Sequence, residues 1–181
     1  MRRIYLTTSN HLGNFHVDLS RNGGEYAFME PTTLVTFGWG VLAALGLLVA
    51  TIFIHYEGLG LIARQVRALS RRCHRWQLLV VMLGICMLHG LEILLYAGIM
   101  ALMAALQLGQ LVFIENLPGS TAGVHYIYYA AVVYTSVGFG DLVPTGGLRI
   151  VSGLAGLNGL LLIAWSASFT YIMMNKLWEK R

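Results

Sequence analysis

Three long stretches of the chain are apolar and almost free of charge. From Pro31 to Tyr56 there is no Asp, Glu, Lys or Arg, and from Trp76 to Ile114 the only one is Glu92. From Ile150 to Asn175 there is again none. A helix crossing a bilayer needs about 20 mostly apolar residues, so each stretch is long enough to cross once. The pattern predicts an all-α membrane protein with transmembrane helices over 31–56, 77–106 and 148–175. It leaves no room for a second, soluble domain.

A further uncharged segment, 116–140, breaks the pattern. It carries Pro118, Gly119, Gly123, Gly138 and Gly140, which oppose a long helix. A fourth crossing would also put the C-terminal end on the wrong side. The segment is therefore expected to be re-entrant: a short helix over 121–134 dips in and the glycine stretch 135–141 climbs back out. Non-helical backbone at membrane depth survives only where it is buried in protein or lines a polar cavity. This turn must line something.

Composition agrees. Of 181 residues, 57% are hydrophobic and 11% charged, against about 25% charged in soluble chains. Positive charge is concentrated beside the apolar runs. Arg64, Arg67, Arg71, Arg72 and Arg75 fall in the basic loop 57–76, and Lys176, Lys180 and Arg181 in the tail 176–181. Under the positive-inside rule both are cytoplasmic. The N-terminal segment 1–30 is then extracytoplasmic, and the expected location is the cell membrane, with several passes. The arginine segment is expected to be an amphipathic helix, with anionic-lipid contact as a second reading. It is too short and polar for a voltage sensor. The arginines of the opening MRRIYLTTSN lack the apolar run of a leader, so no cleaved signal is expected. Cys73 and Cys86 have neither metal-ligand spacing nor an obvious disulfide partner. Nothing points to nucleic acid, to a small-molecule substrate or to an enzyme: no phosphate-binding loop, carboxylate pair or nucleophile–base pair stands out.

The stretch Tyr134-Thr-Ser-Val-Gly-Phe-Gly-Asp141 carries the chemistry. Backbone carbonyls replace the hydration shell of a monovalent cation when several are aimed at one axis. Consecutive carbonyls of an extended strand point to opposite sides. Aiming them one way requires left-handed residues, which glycine supplies without steric cost. Gly138 and Gly140 stand at every second position, and the Ser136 hydroxyl adds an oxygen. One loop cannot surround an ion, so several chains must converge on a ring.

The run T-S-V-G-F-G-D resembles the selectivity-filter signature of potassium channels, commonly T-V-G-Y-G-D, a family that is itself the standard example of carbonyl selectivity. The resemblance covers roughly 77–175 as a pore domain of outer helix, pore helix, filter and inner helix. The first helix and the N-terminal segment stay unmatched. It implies a homotetramer with K+ as the permeant ion and no other cofactor. Filter residues would be Thr135, Ser136, Val137, Gly138, Phe139 and Gly140, with K+ held at the carbonyls of Ser136, Val137, Gly138 and Phe139. Asp141 would stand at the outer mouth with Tyr128 as its neighbour. In the prototype two-span channel the equivalent aspartate meets a glutamate and a tryptophan, where this chain has Val132 and Tyr128. Serine at 136 and phenylalanine at 139 replace threonine and tyrosine, which suggests a softer filter. Aligning Pro144 and Arg149 with the family puts Gly159 at an inner-helix hinge. Leu160, Ile163, Ala167 and Tyr171 then line the pore or pack against neighbouring helices.

His89 and Glu92 lie three apart in the second helix and share a face. An intramembrane carboxylate is costly and marks a site by default. The pair is expected to be either a polar clamp to the first span or the pore helix, or a proton sensor. The function expected is passive potassium conduction. The alternatives are a weakly selective cation channel and a non-conducting subunit that assembles with another channel.

Overall fold

A computed structural model of the chain describes residues 31–68, 74–113 and 122–178. The N-terminal segment 1–30, residues 69–73 of the basic loop, residues 114–121 and the end of the tail, 179–181, lie outside the described residues. The elements are α1 (Pro31–Ala68), α2 (His74–Ala105), β1 (Leu111–Phe113), α3 (Ala122–Tyr134), β2 (Leu142–Pro144) and α4 (Leu148–Trp178). The chain is all-α apart from one short strand pair. Three of its helices, over Leu34–Ala68, Trp76–Ala105 and Leu148–Lys176, are long and apolar enough to cross a membrane.

The first helix is longer than the hydropathy pattern suggests. It runs unbroken from the expected span through the first half of the basic segment, so that at 38 residues it is about 57 Å long, against a hydrocarbon core of about 30 Å. Charge beginning at Glu57 marks where the helix leaves lipid, not where it ends. Tyr56–Ala68 contains no proline, and Gly58 is used for close packing: a Cβ there would lie 2.6 Å from Leu88 Cδ1 of α2. Leu59, Ile62 and Val66 of α1 meet Val81, Ile85 and Leu88 of α2 in a core at this end, joined by Met173 of α4.

Contacts between the long helices set their directions. Thr51 meets Asn158 and His55 meets Ser166, so α1 and α4 run parallel. Between α1 and α2 the pairing of Gly58 with Leu88, and of Val66 with Gln77, makes those two antiparallel. The chain therefore alternates direction through α1, α2 and α4, as three successive crossings must. The second core cluster joins α1, α2, α3 and α4 around Tyr96, Met100, Tyr134 and Val151. Outward faces are apolar instead of polar, with Val49, Phe53, Leu83 and Met87 exposed. A helix that is hydrophobic all round is at home in lipid.

The short helix α3 sits against α2 and α4. The chain enters and leaves it on one side, because β1 before it pairs antiparallel with β2 after it, with Val112 opposite Val143. The strand pair was not legible in the hydropathy pattern. It brings Leu111–Phe113 beside Leu142–Pro144, directly after the loop that follows α3.

Candidate functional site

Two polar features meet at the end of α3. The first is the loop 135–141. Its start is tied to the helix: Thr135 N donates to Ala131 O at 3.1 Å and Ser136 N to Val133 O at 2.9 Å. Val137 N and Gly138 N both reach Val132 O, at 3.0 and 3.3 Å. The Thr135 hydroxyl donates to Ala131 O at 2.8 Å. Beyond that the backbone alternates. Ser136, Gly138 and Gly140 have φ of +59°, +56° and +80°, while Val137 and Phe139 between them do not enter the left-handed region. Alternating hand from residue to residue gathers N–H groups on one side and so turns successive carbonyls to the other. At 138 and 140 the residue type makes this cheap. At Ser136 it is achieved by a non-glycine residue, which costs about 1–2 kcal/mol.

Every residue from Thr135 to Asp141 is exposed in the single chain, with Val137 at 55% and Phe139 at 69%. Among the described residues, no hydrogen bond ends on a carbonyl of Ser136–Gly140. Ser136 Oγ lies 3.4 Å from Gly156 O on α4. Tyr128 backs the outer part of the loop: its ring stacks on Phe139 with centroids 6.5 Å apart and planes 6° off parallel. Its hydroxyl faces Asp141, and that carboxylate pushes the Tyr128 phenol above its ordinary range. One side chain therefore steadies both the aromatic and the acid of the loop.

On α4, Gly159 packs directly under the end of α3. A Cβ there would stand 2.0 Å from Tyr134 O and 2.8 Å from its carbonyl carbon. The helix continues unbroken through this position, so close approach is the visible reason for glycine. Leu160, Ile163, Ala167 and Tyr171 are all exposed in the single chain.

The second feature is a buried polar node. Glu92 of α2 is fully buried, as is His55 of α1, whose Nδ1 lies 2.8 Å from Glu92 Oε1. Tyr134, the last residue of α3, donates its hydroxyl to Glu92 Oε2 at 2.5 Å. His89 Nδ1 stands 3.2 Å from Glu92 Oε2 and 2.8 Å from the Tyr134 hydroxyl. On α4, Ser166 Oγ lies 3.2 Å from His55 Nε2 and 3.1 Å from His89 Nε2. Three side chains, from α1, α2 and α3, thus close on one carboxylate, and Ser166 of α4 joins the two imidazoles. Trp165 packs beside His55, with ring centroids 5.5 Å apart. One level away, Asn158 Nδ2 donates to Thr51 Oγ1 at 2.7 Å and to the Tyr96 hydroxyl at 3.0 Å, joining α1, α2 and α4 again.

The sequence placed His89 and Glu92 together, and the structure brings them into contact. It adds His55, Tyr134, Ser166, Asn158 and Thr51, which sequence reasoning missed. Each is a polar residue within or beside an apolar run, and that was the available signal. Their partners lie far away in the chain, so the signal names no pairing.

Residues 89–176 match a family model described as an ion channel. No curated protein and no solved structure matches the chain. The matched part takes in the second half of α2, all of α3, the loop and nearly all of α4. This part of the chain is similar to that ion-channel family, and the similarity points to a channel.

Proposed function

We propose that the chain is a potassium-selective channel, a homotetramer in which four copies of the loop 135–141 direct carbonyl oxygens at a common axis. In this reading α3 is a re-entrant pore helix, α2 and α4 are outer and inner helices, and the Arg64/Arg67 end of α1 is cytoplasmic. K+ is held by the carbonyls of Ser136, Val137, Gly138 and Phe139, with Thr135 and Gly140 completing the filter and Asp141 concentrating cations outside it. Leu160, Ile163, Ala167 and Tyr171 line the inner passage.

The observation that carries the proposal is the alternation of left-handed backbone at Ser136, Gly138 and Gly140 in a loop whose carbonyls have no hydrogen-bond partner among the described residues. A membrane protein does not leave such backbone facing lipid. A ring of copies around a line of dehydrated cations supplies partners for all of it. Weak selectivity is the second reading. It is favoured by Phe139, which stacks on Tyr128 yet has no hydroxyl to anchor the filter to its surroundings.

The test is potassium flux into proteoliposomes holding this chain alone, with the oligomer sized in detergent. Flux through a four-chain particle supports the proposal. A tetramer without flux identifies a non-conducting subunit. Replacing external K+ with Na+ and measuring the reversal potential decides between the two conducting readings.

A further inference from the structure

We propose that His55, His89 and Glu92 form an intramembrane binding site for a first-row divalent cation of the Zn2+ type, with Ser166 and Tyr134 as its supporting hydrogen-bond partners. One ligand atom from each of the three residues lies within 4.8 Å of the other two. Six short contacts join His55, His89, Glu92, Tyr134 and Ser166, and the two made by His89 Nδ1 share a hydrogen, so five hydrogens are required. Two neutral imidazoles, one phenol and one hydroxyl carry about four between them. The buried carboxylate therefore faces a node that is short of one positive charge's worth of hydrogen.

A divalent cation removes the shortfall. With the metal on both Nδ1 atoms and on Glu92, each imidazole carries its hydrogen on Nε2. Both Nε2–H groups then point at Ser166 Oγ, whose two lone pairs accept them. The Tyr134 hydroxyl goes on donating to the second carboxylate oxygen. The imidazole–carboxylate contacts become metal bonds and the Nε2 contacts are satisfied with ordinary tautomers, while the His89 Nδ1–Tyr134 contact gives up its hydrogen bond. This is the arrangement that metal sites favour, with each ligating histidine and the ligating carboxylate oriented by an outer hydrogen bond.

Dimensions and donor type agree. Ligands about 2.0–2.1 Å from a tetrahedral Zn2+ lie ~3.3–3.4 Å from one another. The Nδ1-to-carboxylate distances are 2.8 and 3.2 Å and all three ligand atoms lie within 4.8 Å of one another, so a metal requires those two distances to open by a few tenths of an ångström and the imidazoles to draw in by up to about 1.4 Å. Two imidazoles and one carboxylate suit Zn2+ and its neighbours, whereas Ca2+ and Mg2+ call for oxygen. Access is through His89, whose side chain is 16% exposed while those of His55 and Glu92 are fully covered. The site does not depend on the chain conducting potassium.

The test uses the full-length purified chain in detergent. Zn2+ is measured after equilibrium dialysis, and Co2+ is titrated while its visible spectrum is recorded. The expected result is one Zn2+ per chain and the intense bands of low-coordinate Co2+, removed by competing Zn2+. Glu92→Gln and His55→Gln are expected to abolish both signals. Ser166→Ala keeps all three ligands and is expected to weaken binding by about 10- to 100-fold, as loss of an outer partner does. A variant without His11, His16, His74 and His125 is expected to bind as the parent does. Wild-type protein that binds less than one Zn2+ per chain at saturation overturns the proposal, whether or not any variant folds. Binding that survives Glu92→Gln in a particle of unchanged size, or that disappears in the four-histidine variant, overturns it equally.

Discussion

Tyr134 and Thr135 are adjacent in the chain and belong to opposite kinds of structure. The node around Tyr134 is closed, built from side chains, and gathers partners from four helices at distances of 2.5–3.2 Å. The loop beginning at Thr135 is open, built from backbone, and offers carbonyls that accept no hydrogen bond among the described residues. Both put polar groups inside an apolar protein, where an unpartnered group costs several kcal/mol. The node deals with that cost internally. The loop defers it to whatever arrives from outside the chain, copies and ions in the proposed reading. Placing the closed feature directly behind the open one gives the loop a rigid support without covering it.

The widest separation between the two is expected from Gly138→Ala. A Cβ at 138 meets nothing within 4 Å, so the penalty is purely conformational at φ +56°. It amounts to about 1–2 kcal/mol per chain, or ~4–8 kcal/mol around a ring of four, and predicts a fall in K+ flux on the order of 1000-fold with the tetramer retained. Flux near the parent value would break the comparison on the loop side. Glu92→Ala is the counterpart on the node side. Removing the common acceptor of His55, His89 and Tyr134 is expected to destabilise the chain by about 3–5 kcal/mol, seen as a lowered melting temperature and a broken oligomer. An unchanged melting curve would mean that the node holds nothing together.

Smaller effects sharpen the contrast. Asn158→Leu removes both bonds to Thr51 and Tyr96 and is expected to cost about 0.6–2 kcal/mol, the usual scale of interhelical hydrogen bonds in membranes. Thermal unfolding checks it, and flux at low temperature is expected to be unaffected. Tyr128→Phe keeps the stack on Phe139 but removes the hydroxyl that faces Asp141. Currents are expected to decay faster by about two- to fivefold, the factor carried by one net hydrogen bond, with selectivity and assembly unchanged. Recordings of current decay in the two proteins decide it.

How far each feature was legible follows from the range of the interactions that make it. The end of the first helix was misplaced at 56 because charge was taken as its stop, while the helix continues through Arg64 and Arg67 to Ala68. Gly159, expected as a hinge, has a steric reason for glycine that only the position of Tyr134 reveals. Tyr134 ties the end of α3 to Glu92, a pairing that its place in the sequence does not announce. The β1–β2 pair was invisible because three residues on each side carry no period.

The amino-acid order alone determined three crossings, since the hydrophobic effect acts on local runs long enough to span the bilayer. It also determined a special backbone at 135–141, since only a regular glycine alternation makes reversed hand inexpensive residue by residue. Tertiary structure decided which polar side chains meet. The partners of Glu92 sit 3, 37 and 42 residues away, and their convergence depends on how four helices pack. No local preference encodes that geometry.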